Sequence, residues 1–249
     1  GTYGKLSNLN FWSWGYGYLY TITTNLRIDG KIVDSVKTRT GFRKTKFGNG
    51  LFKLNDRTLM LKGYAQRTSN EWPALGNAVP PWLSDFSNRM MVESNANLVR
   101  WMHITPWKQD VESCDRVGLL QAMPAGDAER DVEGRRWEQR KEVMRDAIIY
   151  NRNNPSIIFY ESGNESISEP HMAEMKEIRD KYDPHGGRAI GRVRSMPLAS
   201  ARSWTRSRGE RTRRSSILRH PRRVTVRRLA SATPRPNPRA RTGRSPGSR

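Results

Sequence analysis

The sequence predicts an α/β fold, on the evidence of two changes of pattern along the chain. In residues 18–45, apolar and polar residues alternate as they do in antiparallel strands. From residue 48 to residue 191, short apolar segments alternate with amphipathic ones, which indicates a parallel sheet connected by helices. After residue 191 no periodic apolar pattern remains. We therefore predict the end of a β-sandwich in 1–47, the N-terminal half of an eight-stranded barrel in 48–191 and a disordered basic tail in 192–249.

The first part contains a clear hairpin signal. Residues 18–45 alternate in the manner of strands, and Asp29-Gly30 interrupts them with a dipeptide that favours a tight turn. A second hairpin-like pair is predicted around Asn55-Asp56, between residues 51–54 and residues 59–63. The run 59–63 is also predicted to be the first barrel strand. The sandwich part is too short to be a whole sandwich.

The remaining elements alternate in type. In order, we predict a helix at 82–94, a strand at 97–103, a helix at 108–117, a strand at 118–123, a helix at 132–150, a strand from 157, a helix from 169 and a strand at 188–191. Their apolar stripes are assigned to the core. These stripes are Leu83, Phe86, Met90 and Met91 on the first helix, Trp137, Met144, Ala147 and Ile148 on the third, and Met175, Ile178 and Tyr182 on the fourth.

One strand carries the candidate chemistry. Pro155 ends the helix before it, because proline offers no N–H and biases the preceding residue away from helical angles. The run from Ile157 to Tyr160 is apolar or aromatic without a break, which is typical of a strand buried on both faces. Asn164 and Glu165 follow at its C-terminal end, where barrel enzymes keep their catalytic residues. On spacing alone, an ordinary polar turn remains an open alternative.

The positive charge is concentrated at one end of the chain. The formal net charge is +21, yet residues 188–249 contain 19 Arg, no Lys and a single acid, Glu210. Such a segment cannot bury enough apolar surface to offset chain entropy. It is either a basic arm that binds nucleic acid or other polyanions, or the translation of a shifted reading frame. We favour the second, because all 11 Lys residues precede this segment.

Several classes of site and segment are not predicted. Cys114 is the single cysteine, so neither an intrachain disulfide nor a cysteine-based metal site is expected. No His, Asp or Glu set has metal-ligand spacing, and no cofactor is expected. No apolar run approaches the roughly 18 residues of a membrane span. We expect no signal peptide in this chain. The missing start suggests a fragment, so a periplasmic or extracellular location stays open for a full-length protein.

An ordered set of motifs resembles glycoside hydrolase family 2, the family of β-galactosidases, β-glucuronidases and β-mannosidases. The motifs are Tyr18-Leu19-Tyr20, Gly41-Phe42-Arg43, Leu61-Lys62-Gly63, Asn97-Leu98-Val99-Arg100, His103, Asp115, Gly118-Leu119, Arg152-Asn153-Asn154-Pro155-Ser156-Ile157-Ile158 and Gly163-Asn164-Glu165. The resemblance implies a sugar-binding jelly roll, an immunoglobulin-like sandwich and a catalytic TIM barrel. This sequence matches only the end of the sandwich and the first half of the barrel.

The resemblance also implies roles for individual residues. Glu165 matches the general acid/base, which protonates the leaving oxygen and then activates water. Asn164 matches the amide that contacts the sugar 2-hydroxyl. Arg100 matches a basic residue that supports the nucleophile's charge, and His103 matches a histidine of the sugar pocket. Asp127 is a further candidate for substrate binding.

Three more residues are noted near the same strand ends. Glu129 and Trp101 lie on loops or strand ends of the proper face and are further candidates for the site. Glu161 lies within the strand and could point into the barrel, but it matches no catalytic position of the family.

The second catalytic carboxylate is not found. A retaining glycosidase needs a nucleophile about 5–5.5 Å from the acid/base, and the family places it near the end of the seventh strand. Glu210 is the only acid after Gly187, and no strand precedes it. We therefore expect a β-galactosidase-like retaining glycosidase fragment that is inactive and poorly soluble by itself, with a carbohydrate as its partner. The oligomeric state is not predicted.

Two other functions are weighed. The Arg-rich tail could bind nucleic acid or another polyanion through non-specific charge, and such binding should weaken steeply with salt. Alternatively, the chain could bind sugar without catalysis, with Trp101, Trp107 and Trp137 as stacking faces. Trp137 shares the apolar face of a predicted helix, so a core role is favoured for it.

Overall fold

The computed structural model describes residues 5–67, 74–75, 79–126, 130–164 and 166–192. Within these ranges the strands are β1 Tyr20–Ile28, β2 Lys31–Thr40, β3 Thr45–Gly48, β4 Leu51–Leu54, β5 Arg57–Thr58, β6 Gly63–Gln66, β7 Leu98–Trp101, β8 Leu120–Pro124, β9 Ile157–Gly163 and β10 Ala189–Arg192. The helices are α1 Pro81–Glu93, α2 Lys108–Val117, α3 Gly134–Asn151 and α4 Glu169–Tyr182. In the same ranges, no helix has the length and apolar character that a bilayer crossing requires.

The first two strands form the predicted hairpin. β1 and β2 are antiparallel, and Asp29 and Gly30 make the turn with φ angles of 49° and 78°. Two consecutive positive φ angles are the mark of the tight hairpin turn that this dipeptide favours. The apolar side chains of the hairpin are exposed; they are Ile22, Leu26, Ile28, Ile32, Val33 and Val36. The described part of the chain therefore leaves this sandwich end largely uncovered.

A second, three-stranded antiparallel sheet has the order β3-β4-β5. The turn at Asn55-Asp56 is confirmed, since both residues have positive φ. The strand predicted at 59–63 is wrong, because the short β5 precedes this segment and the first barrel strand is β6, which begins at Gly63. Leu59 and Leu61 pack against the buried cluster around Phe52, so their apolar pattern reflects packing and not strand pairing.

The barrel part is a five-stranded parallel sheet with the order β10-β9-β8-β7-β6. One helix lies between each strand and the next along the chain, from α1 after β6 to α4 after β9. The five parallel strands and the four helices between them form the first part of a (β/α)8 barrel. The predicted fold class is confirmed. The predicted boundaries at residues 47 and 191 stay predictions.

The core lies on both sides of the parallel sheet. One apolar cluster fills the space between the sheet and the helices and includes Met123, Trp137, Met144, Ile157 and Met175. A second cluster lies on the opposite side and joins Leu98, Leu120 and Phe159 to Trp12 and Phe52 from the part before the barrel. All seven residues of β9 are buried, as its sequence predicts.

The apolar stripe predicted on α1 is wrong in part. Leu83 is buried, but Phe86 and Met90 are 52% and 43% exposed. The face that packs against α2 carries two buried polar residues instead. Ser84 donates to Asp110 Oδ1 (2.6 Å), and the Asn88 amide donates to the hydroxyl of Ser113 on α2 (3.0 Å). The stripe on α3 is confirmed, since all four of its predicted residues are buried.

Two arginines converge on the start of β9: Arg43 from the sandwich end and Arg188 from the residue before β10. Arg43 donates to the carbonyl oxygens of Pro155 and Ile157 and, at 3.3 Å, of Gly186. Arg188 also donates to the Ile157 carbonyl (2.9 Å). Burial and the neighbouring Arg188 lower the pKa of Arg43 to about 9, so its guanidinium is charged at neutral pH. Residues far apart in sequence are thereby fixed at the start of β9.

We expect Arg43→Met to reduce the free energy of unfolding by about 3 kcal/mol, because it leaves buried carbonyl groups without donors. Urea unfolding followed by tryptophan fluorescence measures the change. Arg39→Met is the matched control, since Arg39 is exposed on β2. An Arg43 variant as stable as the Arg39 variant would contradict this account of the barrel bottom.

Two buried carboxyl groups on α2 make stability depend on pH. Burial raises the pKa of Asp110 and of Asp115 from 3.8 to about 6, although hydrogen bonds from Ser84 and Ser156 partly oppose the rise. Between about pH 4 and pH 6, the folded chain therefore binds these protons more tightly than the unfolded chain. The stabilisation is fully present below pH 4 and is lost as the pH rises to about 6. The difference corresponds to roughly 3 kcal/mol for each group.

Asp110→Asn removes one of these charges and keeps an oxygen for Ser84. We expect the decline in unfolding free energy between pH 4 and pH 6 to be smaller than in the wild type by up to roughly 3 kcal/mol. Urea unfolding at pH 4, 5, 6 and 7 provides the measurement. Asp56→Asn, at a side chain that is 78% exposed, should leave the decline unchanged. Equal declines in the wild type and the Asp110 variant would refute the assignment.

Candidate active site

The candidate site lies at the C-terminal ends of β7 and β9. β7 contributes Arg100, and His103 follows it; β9 contributes Glu161, and Asn164 follows it. β8 lies between the two strands and pairs Ala122 with Arg100 in register. Because paired residues of parallel strands point to the same face, the small Ala122 side chain lies beside Arg100 on that face.

Arg100 is the centre of a hydrogen-bond network. Its Nε donates to Glu161 Oε2 (2.9 Å) and its Nη2 to Glu161 Oε1 (2.5 Å). The same Nη2 donates to Asn164 Oδ1 (2.6 Å) and lies 3.2 Å from His103 Nδ1. The side chain of Glu161 is 2% exposed and that of Arg100 is 19% exposed. Two-point pairing of this kind is among the stronger and more directional interactions in proteins.

The contacts of Arg100 fix the orientation of the Asn164 amide. A guanidinium group only donates hydrogen bonds, so the Asn164 oxygen faces Arg100 and the NH₂ group points away from the guanidinium. The two hydrogens of Nη2 are directed to Glu161 Oε1 and Asn164 Oδ1. His103 Nδ1 lies 3.2 Å from the same nitrogen.

The structure brings together three of the residues that the sequence singles out for the site, Arg100, His103 and Asn164. Glu165 and Asp127, together with Glu129, lie outside the described residues. The roles of all these residues stay predictions.

Sequence reasoning assigns no role to Glu161, although the strand itself holds a signal. A carboxylate in a strand buried on both faces must find a cationic partner. Arg100 provides it from 61 residues away, and that pairing cannot be read from local pattern.

The tryptophans proposed as stacking faces have different surroundings. Trp101 is fully buried, and its indole N–H donates to Gln121 Oε1 (2.9 Å). Trp137 is buried and stacks on His171, with ring centroids 3.8 Å apart. These two residues are core residues, so the candidate role of Trp101 in the site is wrong. Trp107 is 49% exposed.

Asp131 ties the segment after β9 to the loop before α3. Its carboxylate accepts a hydrogen bond from the Ser168 backbone N–H (2.9 Å) and contacts His171 Nδ1 (2.7 Å). Its own N–H donates to the Ser166 hydroxyl (3.0 Å). Burial alone would raise the pKa of Asp131, but the hydrogen bonds from His171 and Ser168 outweigh it and lower the pKa. Asp131 therefore fixes the segment 166–171, through its backbone N–H at Ser166 and through its carboxylate at Ser168 and His171.

Metal ligands are not gathered anywhere in the described ranges. Within them, no group of three or more His, Cys, Asp or Glu side chains has the proximity needed to hold a metal ion.

Arg100, His103 and Asn164 lie at the C-terminal ends of parallel barrel strands, which is the face where barrel proteins hold their active sites. Two family models match the chain: glycosyl hydrolases family 2 over residues 3–43, and the TIM barrel domain of the same family over residues 45–193. The chain belongs to glycosyl hydrolases family 2.

Known relatives include both glucuronidases and galactosidases. The chain is 33% identical over 195 residues to a β-glucuronidase of Formosa agariphila, an alignment that covers 78% of this chain and 20% of the relative. It is 28% identical over 193 residues to a β-galactosidase of Thermoanaerobacter pseudethanolicus, covering 74% and 25%. The chain thus spans about a fifth to a quarter of the length of these curated relatives.

Solved structures show the same likeness. A β-glucuronidase from glycoside hydrolase family 2 superposes with a TM-score of 0.69 at 33% identity, covering 74% of this chain and 20% of that one. The β-glucuronidase of Bifidobacterium dentium, solved with coumarin-3-O-glucuronide, superposes with a TM-score of 0.67 at 19% identity, covering 75% and 32%. At that identity the second comparison shows the shared fold alone.

We expect Asp131→Ala to raise the hydrogen-exchange rate of the Ser168 amide about tenfold, the effect of losing roughly one hydrogen bond. The exchange rate of that amide, measured by NMR, is the test. Asp146→Ala, at a carboxylate that is 66% exposed, should leave the rate unchanged. Equal exchange in the wild type and the Asp131 variant would show that this carboxylate does not hold the segment.

Proposed function

We propose that this chain carries the acid/base half of the active site of a retaining β-glycosidase. The observation that supports the proposal best is the position of Asn164, which follows β9 at the barrel mouth and is held by Arg100. Glu165 comes next in the chain and is proposed as the general acid/base. Relatives named β-galactosidase and β-glucuronidase support a β-linked galactoside or glucuronide as the substrate.

In the proposed reaction the acid/base acts twice. Glu165 first donates its proton to the glycosidic oxygen as the bond to the leaving group breaks, and it then accepts a proton from the water that attacks the sugar. The Asn164 NH₂ group, turned away from Arg100, donates to the sugar 2-hydroxyl. That hydrogen bond gains strength as positive charge develops on the sugar ring. The His103 ring is proposed to contact a second sugar hydroxyl.

Two acids of the sequence are considered as the second carboxylate that the reaction needs. Glu161 is 2% exposed, and both of its oxygens accept hydrogen bonds from Arg100, so it is not available as a nucleophile. Glu210 is the only acid after Gly187 and lies outside the described residues. Loss of a nucleophile lowers the rate of a glycosidase by several orders of magnitude. We therefore propose that this chain binds the sugar but does not turn over glycosides.

Binding to a polyanion is the second candidate function. Residues 193–249 lie outside the described residues, and the proposal rests on the 19 Arg and single acid from position 188 onward. Such binding would be non-specific and would not involve the barrel site.

The enzyme proposal is tested by incubating the full chain with an aryl β-galactoside and with an aryl β-glucuronide. We expect no turnover above background, but binding of galactose or glucuronate that saturation-transfer NMR detects. Asn164→Ala should abolish this binding, and Asn25→Ala, in the exposed hairpin, should preserve it. Turnover that Glu165→Gln removes would show that the chain holds a complete catalytic pair. Failure to bind either sugar would overturn the proposal.

A further inference from the structure

Glu161 is a buried carboxylate in β9, and all the remaining residues of that strand are buried too. Withdrawing a carboxylate from water costs several kcal/mol unless a cation and hydrogen bonds compensate it. Arg100 compensates it with two hydrogen bonds, one to each carboxylate oxygen. Buried ion pairs are often no more stabilising than well-packed apolar residues of the same size. Stability alone therefore gives no reason for a charged pair at this place.

The geometry of Arg100 gives a reason. The guanidinium is a planar fork whose donors have fixed directions, so two bonds to Glu161 fix the whole group. The Nη2 that completes this pairing also donates to Asn164 Oδ1 and contacts His103 Nδ1. The orientations of the Asn164 amide and of the His103 ring are therefore set by where Glu161 holds the guanidinium.

The length of Glu161 matters as much as its charge. β7 and β9 are separated by β8, which places their backbones about 9–10 Å apart, or two strand spacings. Arg100 and Glu161 meet across this gap, with the closest atoms 2.5 Å apart. An aspartate at position 161 would be one methylene shorter and would pull the guanidinium away from Asn164.

We propose that Glu161 is a positioning residue for sugar recognition: through Arg100, it holds the Asn164 amide and the His103 ring in the orientation that binds the sugar hydroxyls. This inference rests on the proposed function for the sugar, while the positioning itself can be measured without a sugar.

The first measurement is the pair of side-chain NH₂ resonances of Asn164 in a ¹H–¹⁵N spectrum of the full chain, identified by their loss in Asn164→Asp. We expect Glu161→Gln and Glu161→Asp to shift or broaden both resonances, with Glu161→Asp doing so although it keeps the charge. Glu177→Asp is the matched control, because Glu177 is exposed on α4; it should leave the resonances in place. Unchanged resonances in Glu161→Asp would overturn the inference.

The second measurement is the dissociation constant for galactose and glucuronate. We expect both Glu161 variants to bind the preferred sugar roughly tenfold more weakly, as on losing about one well-placed hydrogen bond. The double variant Arg100→Met, Glu161→Met replaces the ion pair by apolar side chains. It controls for loss of the fold as the cause of weak binding, since such replacements are often neutral for stability. It should unfold cooperatively like the wild type and still bind sugar more weakly. Wild-type affinity in a folded double variant would also overturn the inference.

The two measurements separate the two proposals. If the wild-type chain binds neither sugar, the proposed function fails, and the Asn164 resonances still decide whether Glu161 positions the amide. If the chain binds sugar but the resonances and affinities of the Glu161 variants match the wild type, the proposed function stands and the positioning role is wrong.

Discussion

The fold depends on hydrogen bonds to the backbone carbonyl groups of the segment that leads into β9. The segment 152–157 leaves the helix α3 and turns into the barrel, and its carbonyl groups point into a buried space. Arg43 and Arg188 satisfy them from two directions; the acceptors are the carbonyls of Arg152, Asn154, Pro155 and Ile157. A buried carbonyl without a donor costs as much as a lost hydrogen bond. Because one arginine precedes the barrel and the other directly precedes β10, this requirement ties three parts of the chain together.

A second set of contacts fixes the same entrance from α2. Asp115 accepts from the Ser156 backbone N–H (3.0 Å) and from the Asn154 side chain, and its own carbonyl accepts from Trp12 Nε1 (2.8 Å). The N-terminal end of β9 is thus held by polar side chains, while its middle is held by apolar packing on both faces. A strand that is fixed in register at one end delivers its last residues to a fixed place at the other. This is why Glu161 and Asn164 meet Arg100 at the barrel mouth.

Local sequence pattern predicts an element correctly when its apolar signal is continuous. It fails when packing against a neighbouring element determines which face of the helix or strand is buried. It predicts β9 and the buried face of α3 correctly, since an unbroken apolar run or a complete stripe is compatible with few structures. It does not predict the buried face of α1, because that helix turns Ser84 toward Asp110 of α2 and leaves Phe86 exposed. Periodicity shows which residues are apolar, but not which face another helix will cover. The displaced first barrel strand has the same cause: Leu59 and Leu61 are apolar because they cover the cluster around Phe52.

The site is predictable only as far as matching motifs reach. Arg100, His103 and Asn164 are found by resemblance, but their common dependence on Glu161 is a contact between distant residues. That contact also explains how one arginine can lie in a largely buried place and still orient a polar neighbour. Both oxygens of Glu161 accept from Arg100, so the buried charges compensate each other and the direction of the guanidinium is fixed. The Nη2 that pairs with Glu161 then has one N–H left to donate to Asn164 Oδ1. Charge compensation and orientation are therefore two effects of one side-chain pair, and neither can be read from the sequence near either residue.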